Sequence, residues 1–200
     1  MNFADNLAMG QMGESVIAQW LRRRGYNVLP AYEKEIDSGK GPRLFTADTC
    51  EVSQLIAPDL FVMGGGTFKW VEAKHKSRFS WYGKGKCWVT GIDLRHFNDY
   101  CQVAEVTEVP VWLFFLHRDP RASQEDITRW GSPARCPVGL FGNDLAILRA
   151  KFSHTSDRHG PTGMIYWKET QLIRFASLEN VSPEVENRIP EQMMLLPAGV

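Results

Sequence analysis

The segment PDLFVMGGGTFKWVEAKHK, residues 58–76, constrains this chain more than any other. Two apolar runs flank a glycine triplet, the pattern of a β-hairpin whose turn needs conformations that glycine takes freely. Strand side chains alternate between faces, so Asp59, Phe61 and Met63 project together from the first strand, and Phe68, Trp70, Glu72 and Lys74 from the second. With strands Pro58–Met63 and Phe68–His75 joined by the turn 64–67, Met63 stands opposite Phe68 and Asp59 opposite Glu72. Two carboxylates roughly 5 Å apart at Cβ repel each other, and burying either one alone costs several kcal/mol. A solvated Glu–Lys ladder does not account for Phe61, Met63, Phe68 and Trp70 on the same face.

A divalent cation between the two acids removes both penalties. Hard oxygen ligands suit Mg²⁺ or Mn²⁺, which take one or two protein carboxylates and complete their shell with water and phosphate. Residues 5–24 read as a helix with Val16, Ile17, Trp20 and Leu21 on its apolar side. Glu14 projects at the edge of that stripe, toward the seam between helix and sheet, where it can supply a third carboxylate. The carbonyl of Ala73 is a further candidate ligand. Lys74 projects to the same side as Glu72, where its amine can orient or help deprotonate a water, or offset charge on a phosphorane. Metal, water, amine and basic surroundings suit in-line hydrolysis of a phosphodiester.

The surroundings are basic although the formal net charge is zero: residues 22–95 hold 13 Lys/Arg against 8 Asp/Glu, and the remainder 10 against 15. The stretch SRFSWYGKGKCWVT, residues 77–90, reads as a loop that interleaves Arg78, Lys84 and Lys86 with Phe79, Trp81, Tyr82 and Trp88. Cations neutralise phosphates and aromatic faces stack on unpaired bases, so Lys76, Arg78, Lys84 and Lys86 are candidate nucleic-acid contacts. The same aromatics would equally serve to pin the loop to the core. His75 points away from Lys74, to the other face of its strand.

Elsewhere, Tyr26–Leu29 reads as a strand, and residues 33–55 as a long, partly mobile connection with a short strand near Leu44–Phe45. A helix capped by Thr90 or Asp93 carries Leu94, Phe97, Cys101 and Ala104 at helical spacing. VPVWLFFLH suits a strand buried on both faces. Beyond residue 118 the chain reads as a loop with a helical turn, a short strand CPVGLF, a short helix capped by Asn143, a strand or hairpin over GMIYWKETQLIRFASL, and a Pro-rich fringe from Ser182. The four cysteines lie singly, with no C-x-x-C spacing, and read as free thiols. No segment approaches the roughly 18 apolar residues of a membrane span, and the N-terminus lacks the pattern of a signal peptide, so no membrane partner and a cytoplasmic location are expected. Phosphate-loop, zincin and serine-hydrolase motifs are lacking from the sequence.

Pro58-Asp59, then Glu72-Ala73-Lys74, with Glu14 in a preceding Gly-Glu helix, resembles the PD-(D/E)xK nuclease superfamily, in the group of archaeal-type Holliday junction resolvases and related phage and restriction nucleases. The resemblance spans roughly residues 10–118. It implies an α/β fold, a central mixed sheet flanked by helices in a restriction endonuclease-like core over residues 1–118, with residues 119–200 as a C-terminal extension packed on the same domain. It further implies Glu14, Asp59, Glu72 and Lys74 as the catalytic set, Mg²⁺ or Mn²⁺ as cofactor, DNA as substrate and a homodimer as the assembly. Residues 33–55 are longer than a minimal resolvase needs, and the extension offers a surface for a partner protein. Gln102 is a candidate for a glutamine that some members carry near the site. The rival expectation is a non-catalytic nucleic-acid-binding module, or a subunit of a larger DNA-processing complex.

Overall fold

The computed structural model describes residues 3–31, 43–47, 52–160 and 162–181, with the side chains of the first helix from Met12 onward. In chain order the elements are α1 (Phe3–Arg23), β1 (Asn27–Pro30), β2 (Arg43–Ala47), β3 (Val52–Ile56), β4 (Leu60–Gly64), β5 (Thr67–Lys76), β6 (Ser80–Tyr82), β7 (Cys87–Asp93), α2 (Leu94–Thr107) and β8 (Val111–His117). There follow α3 (Gln124–Trp130), β9 (Gly139–Asp144), α4 (Leu145–Ala150), β10 (His154–Ser156), β11 (Met164–Lys168), β12 (Ile173–Ala176) and α5 (Leu178–Val181). The class is α/β, with a mixed central sheet flanked by helices, as expected.

Six strands build the main sheet in the order β1-β4-β5-β8-β9-β12; β5 and β8 are parallel and the other neighbours antiparallel. Alternation along the strands assigns the two faces. Leu60, Val62, Val71, Ala73, Phe114 and Leu116 meet Val16, Ile17, Trp20 and Leu21 of α1. Leu113 and Phe115 point the other way, into a cluster with Phe97, Tyr100 and Val103 of α2 and with Ile165 and Trp167. Hence β8 is buried on both faces, as its apolar run predicts. Contact between α1 and β5 is close enough to require Gly13, where a Cβ would come within 2.5 Å of His75 Cβ. His75 therefore faces α1.

Met63 pairs with Phe68, the register expected from the sequence, but the turn is tighter than a four-residue loop. Gly64 pairs with Thr67, and Gly65 and Gly66 both have positive φ, 59° and 73°. These are the demands of a two-residue hairpin loop whose twist matches its strands.

Three other expectations change. Residues 77–90 are not a loop: they contain the β6–β7 hairpin, which joins β10 and β11 in a second sheet of order β10-β11-β7-β6. Asp144, not Asn143, caps α4, its side chain accepting from the Ala146 N–H at 2.8 Å, because the helix begins one residue later than the sequence pattern suggests. Within 33–55, residues 43–47 and 52–56 form an antiparallel ribbon whose Leu44 and Leu55 pack into the α2 cluster. Residues 33–42, Cys50 and the fringe from Ser182 lie outside the described residues.

The residues after 118 supply β9 and β12 to the main sheet and β10 and β11 to the second. Cys87, Cys101 and Cys136 are free thiols. Among the described residues, no helix is long and apolar enough to cross a membrane.

Candidate active site

One step beyond the last ladder pair, Leu60↔Val71, Asp59 falls opposite Glu72 on the α2 face of the sheet. Both acids are buried, at 8% and 1% exposure. The Ala73 N–H donates to Asp59 Oδ2 at 3.1 Å, which ties the start of β4 to the end of β5. Lys74, two residues from Glu72 and on the same face, pairs its ammonium with Glu72 Oε1 and keeps 27% of its side chain exposed. Glu72 Oε2 is buried without a hydrogen-bond partner.

The electrostatics follow from this crowding. Burial, then the neighbouring Glu72, pushes the Asp59 carboxyl well above its ordinary pKa; Lys74 and the Ala73 N–H act the other way. Burial by itself would weaken the Lys74 ammonium and is the largest single influence on it, but Glu72, Asp59 and more weakly Glu14 together outweigh it and raise its pKa. Glu14 is half-buried on α1, whose core contacts lie on the opposite face of the sheet, yet its charge acts on both Asp59 and Lys74. Asp59, Glu72 and Lys74 thus form one cluster, with Glu14 at its margin.

The backbone adds a ligand candidate. A strand residue directs its N–H and C=O to the same side, so the Ala73 carbonyl points, like its N–H, toward β4. There the register places Pro58, which has no N–H to offer. A buried acid oxygen without a donor, a second acid whose pKa is raised by burial and by its neighbour, and a carbonyl facing a proline are donors suited to a hard cation. They do not form a closed cage: among the described residues no group of three His, Cys, Asp or Glu side chains is gathered closely enough to hold an ion alone.

His96, which the sequence reading did not single out, feels the charges of the cluster. It lies in the first turn of α2, where burial and then Lys74 lower its pKa while Glu72, Asp93 and Asp99 oppose them. Tyr100, one turn on, is 6.0 Å away between ring centroids. The signal was this i, i+4 polar pair in the first turns of the helix that follows β7. Residues after 118 hold this helix end in place: Thr162 donates its hydroxyl to Asp93 Oδ1, and the Leu94 N–H donates to Gly163 O at 2.9 Å.

The expected nucleic-acid contacts divide. Lys76 stands on the site face two residues beyond Lys74; burial, then Lys74, lowers its pKa to about 8. Arg78 is tied to Asp119 at 2.7 Å. Lys84 and Lys86 are exposed at the tip of the β6–β7 hairpin. Of the aromatics, Phe79 is fully buried, and Trp81 and Trp88 meet edge to face. Gln102 is exposed on α2, away from the buried side formed by Phe97, Tyr100 and Val103.

The fold and site together describe an α/β protein with two buried acids and a lysine on one face of a mixed sheet, beside a helix that carries a histidine. No protein-family model matches the chain, and no curated relative matches it. Among solved structures it is similar to Archaeoglobus fulgidus Hjc, a Holliday junction resolvase from an archaeal hyperthermophile, at 8% identity and a TM-score of 0.47, over 84% of this chain and 92% of that one. Likeness at that level says nothing about chemistry.

Proposed function

We propose that this protein is a metal-dependent nuclease that hydrolyses DNA phosphodiester bonds, acting as an endonuclease or resolvase-like enzyme rather than an exonuclease. The observation that carries the reading is the Asp59–Glu72 pair, buried with an orphaned carboxylate oxygen beside a lysine. Asp59, Glu72 and the Ala73 carbonyl would hold Mg²⁺ or Mn²⁺, with Glu14 engaged directly or through water. The ion would polarise the phosphate and lower the pKa of a water. Glu72 fixes the Lys74 ammonium by their ion pair. Lys74 thereby offers N–H donors to the attacking water and to the extra negative charge of the phosphorane. His96, on α2, lies close enough for its charge to be coupled to Lys74 and Glu72. Lys76, Lys84 and Lys86 supply phosphate contacts along the path of the DNA.

The test is a cleavage panel of linear, circular, single-stranded and four-way-junction DNA, with RNA alongside, in Mg²⁺, Mn²⁺ and EDTA. Nicking of circular DNA that needs the metal and is lost in Asp59→Asn and Lys74→Met supports the reading. Activity retained in either variant would falsify the site assignment. Equal DNA binding in chelator and metal with no cleavage would point instead to a non-catalytic binding module.

A further inference from the structure

His117 ends β8 and is fully buried, yet neither ring nitrogen has a partner at full hydrogen-bond geometry; only a looser contact with the Arg78 backbone acts on the ring. Its ring is stacked on Phe79, with centroids 3.7 Å apart and planes 18° from parallel, and meets Phe141 edge to face. A phenylalanine would make these contacts without burying two polar atoms, and a buried unpaired group carries a penalty that a functional partner can remove. The surroundings name that partner. In the parallel β5–β8 ladder His117 stands beside Lys76, and paired residues share a face, here the face of Glu72 and Lys74. Lys76 is a donor only; a neutral imidazole offers one acceptor nitrogen. Burial, followed by the charge of Lys76, holds His117 neutral, its pKa pushed down to about 3, with the loose hydrogen-bonding contact to the Arg78 backbone acting the other way.

We propose that His117 is a positioning residue for Lys76: when DNA occupies the site its ring accepts a hydrogen bond from the Lys76 ammonium and fixes that ammonium on the phosphate next to the scissile one. The proposal rests on the reading of the site as one that binds DNA. It gives the two amines on the Glu72 face of β5 different tasks, Lys74 at the reacting phosphate and Lys76, held from the neighbouring strand, at the adjoining one. It also accounts for an imidazole where packing alone asks for a plain aromatic ring.

The experiment uses the full chain and a short labelled DNA duplex in EDTA, so that binding is read without cleavage, across a range of salt concentrations. Each phosphate contact contributes about 0.9 to the slope of log affinity against log salt. Lys76→Met should weaken binding about tenfold and reduce the slope by about one contact. His117→Phe should do the same, and the double variant should be no worse than either single one. His117→Asn, which keeps an acceptor, should recover much of the loss. A urea melt of His117→Phe at or above the wild-type midpoint shows that the variant folds. Wild-type affinity and slope in His117→Phe, or losses that add in the double variant, overturn the proposal. Wild-type binding in Lys76→Met overturns it too, while metal-dependent cleavage would still support the nuclease reading. A wild-type chain that neither binds nor cuts DNA overturns both.

Discussion

Asp59→Asn should stabilise the protein in the absence of metal and remove its response to metal. Register puts Asp59 and Glu72 face to face, at a Cβ separation of about 5 Å. At an effective dielectric of about 20, two unit charges at that distance repel by roughly 3 kcal/mol. Lys74, paired with Glu72, offsets part of this, which leaves about 1–2 kcal/mol for the substitution to recover. Asparagine keeps an oxygen to accept the Ala73 N–H, so the tie between β4 and β5 survives. For a chain of this size each kcal/mol moves the melting temperature by about 2–4 °C, so calorimetry in EDTA should show the variant melting about 2–8 °C higher. Because the folded-state pKa of Asp59 is raised, its penalty is absent below the ordinary value of 3.8 and complete once the pH passes the folded value. The advantage of the variant must therefore grow as pH rises. In Mg²⁺ the order should reverse, since saturation to a hundred times Kd stabilises the wild type by about 2.7 kcal/mol. A variant that melts lower in EDTA, or a Mg²⁺ shift equal in both proteins, refutes the argument.

Lys74→Met should cut kcat at least about a hundredfold, as loss of a charge-stabilising donor does, and leave the circular dichroism spectrum unchanged; single-turnover cleavage of labelled DNA checks it. His117 stays neutral in the folded state down to about pH 3, whereas its unfolded counterpart takes up a proton near the ordinary 6.5. Stability should thus drop as the pH is lowered through that window, by up to about 1.4 kcal/mol per unit, and urea titrations of His117→Phe should lack this component. At Gly142 a Cβ would lie 2.3 Å from the Leu113 carbonyl oxygen, in the middle of the main sheet. Gly142→Ala should cost about 2–3 kcal/mol in a urea melt.

The hairpin was legible because everything that fixes it is local. Alternation chose the faces, the glycines chose the turn, and the two together put Asp59 opposite Glu72 without knowledge of any other part of the chain. The helix α1 was legible for the same reason, and so was the turning of His75 away from Lys74, to the face that α1 proves to cover. The second sheet was not. Its strands β6 and β10 are three residues each, too short for a period to show, and β7 finds its partner β11 more than 70 residues later. The glycines of residues 77–90 therefore read as loop, although Gly83 is small because the Trp130 ring lies against it: a Cβ there would approach Trp130 Cε3 to 2.6 Å. His96 escaped for a related reason. Its place near the cluster depends on where the β7–α2 junction is fastened, and the fastening comes from Thr162 and Gly163.

The parallel pairing of β5 with β8 has a consequence for anyone shortening this protein. On its other side β8 is covered only by β9, a strand that follows it after more than 20 residues. A fragment cut at residue 118 would carry every acid and amine of the cluster, but it would end in VWLFFLH with one whole row of peptide groups bare. Such a rim invites strands from other molecules. The fragment should precipitate before it could be asked to cut anything.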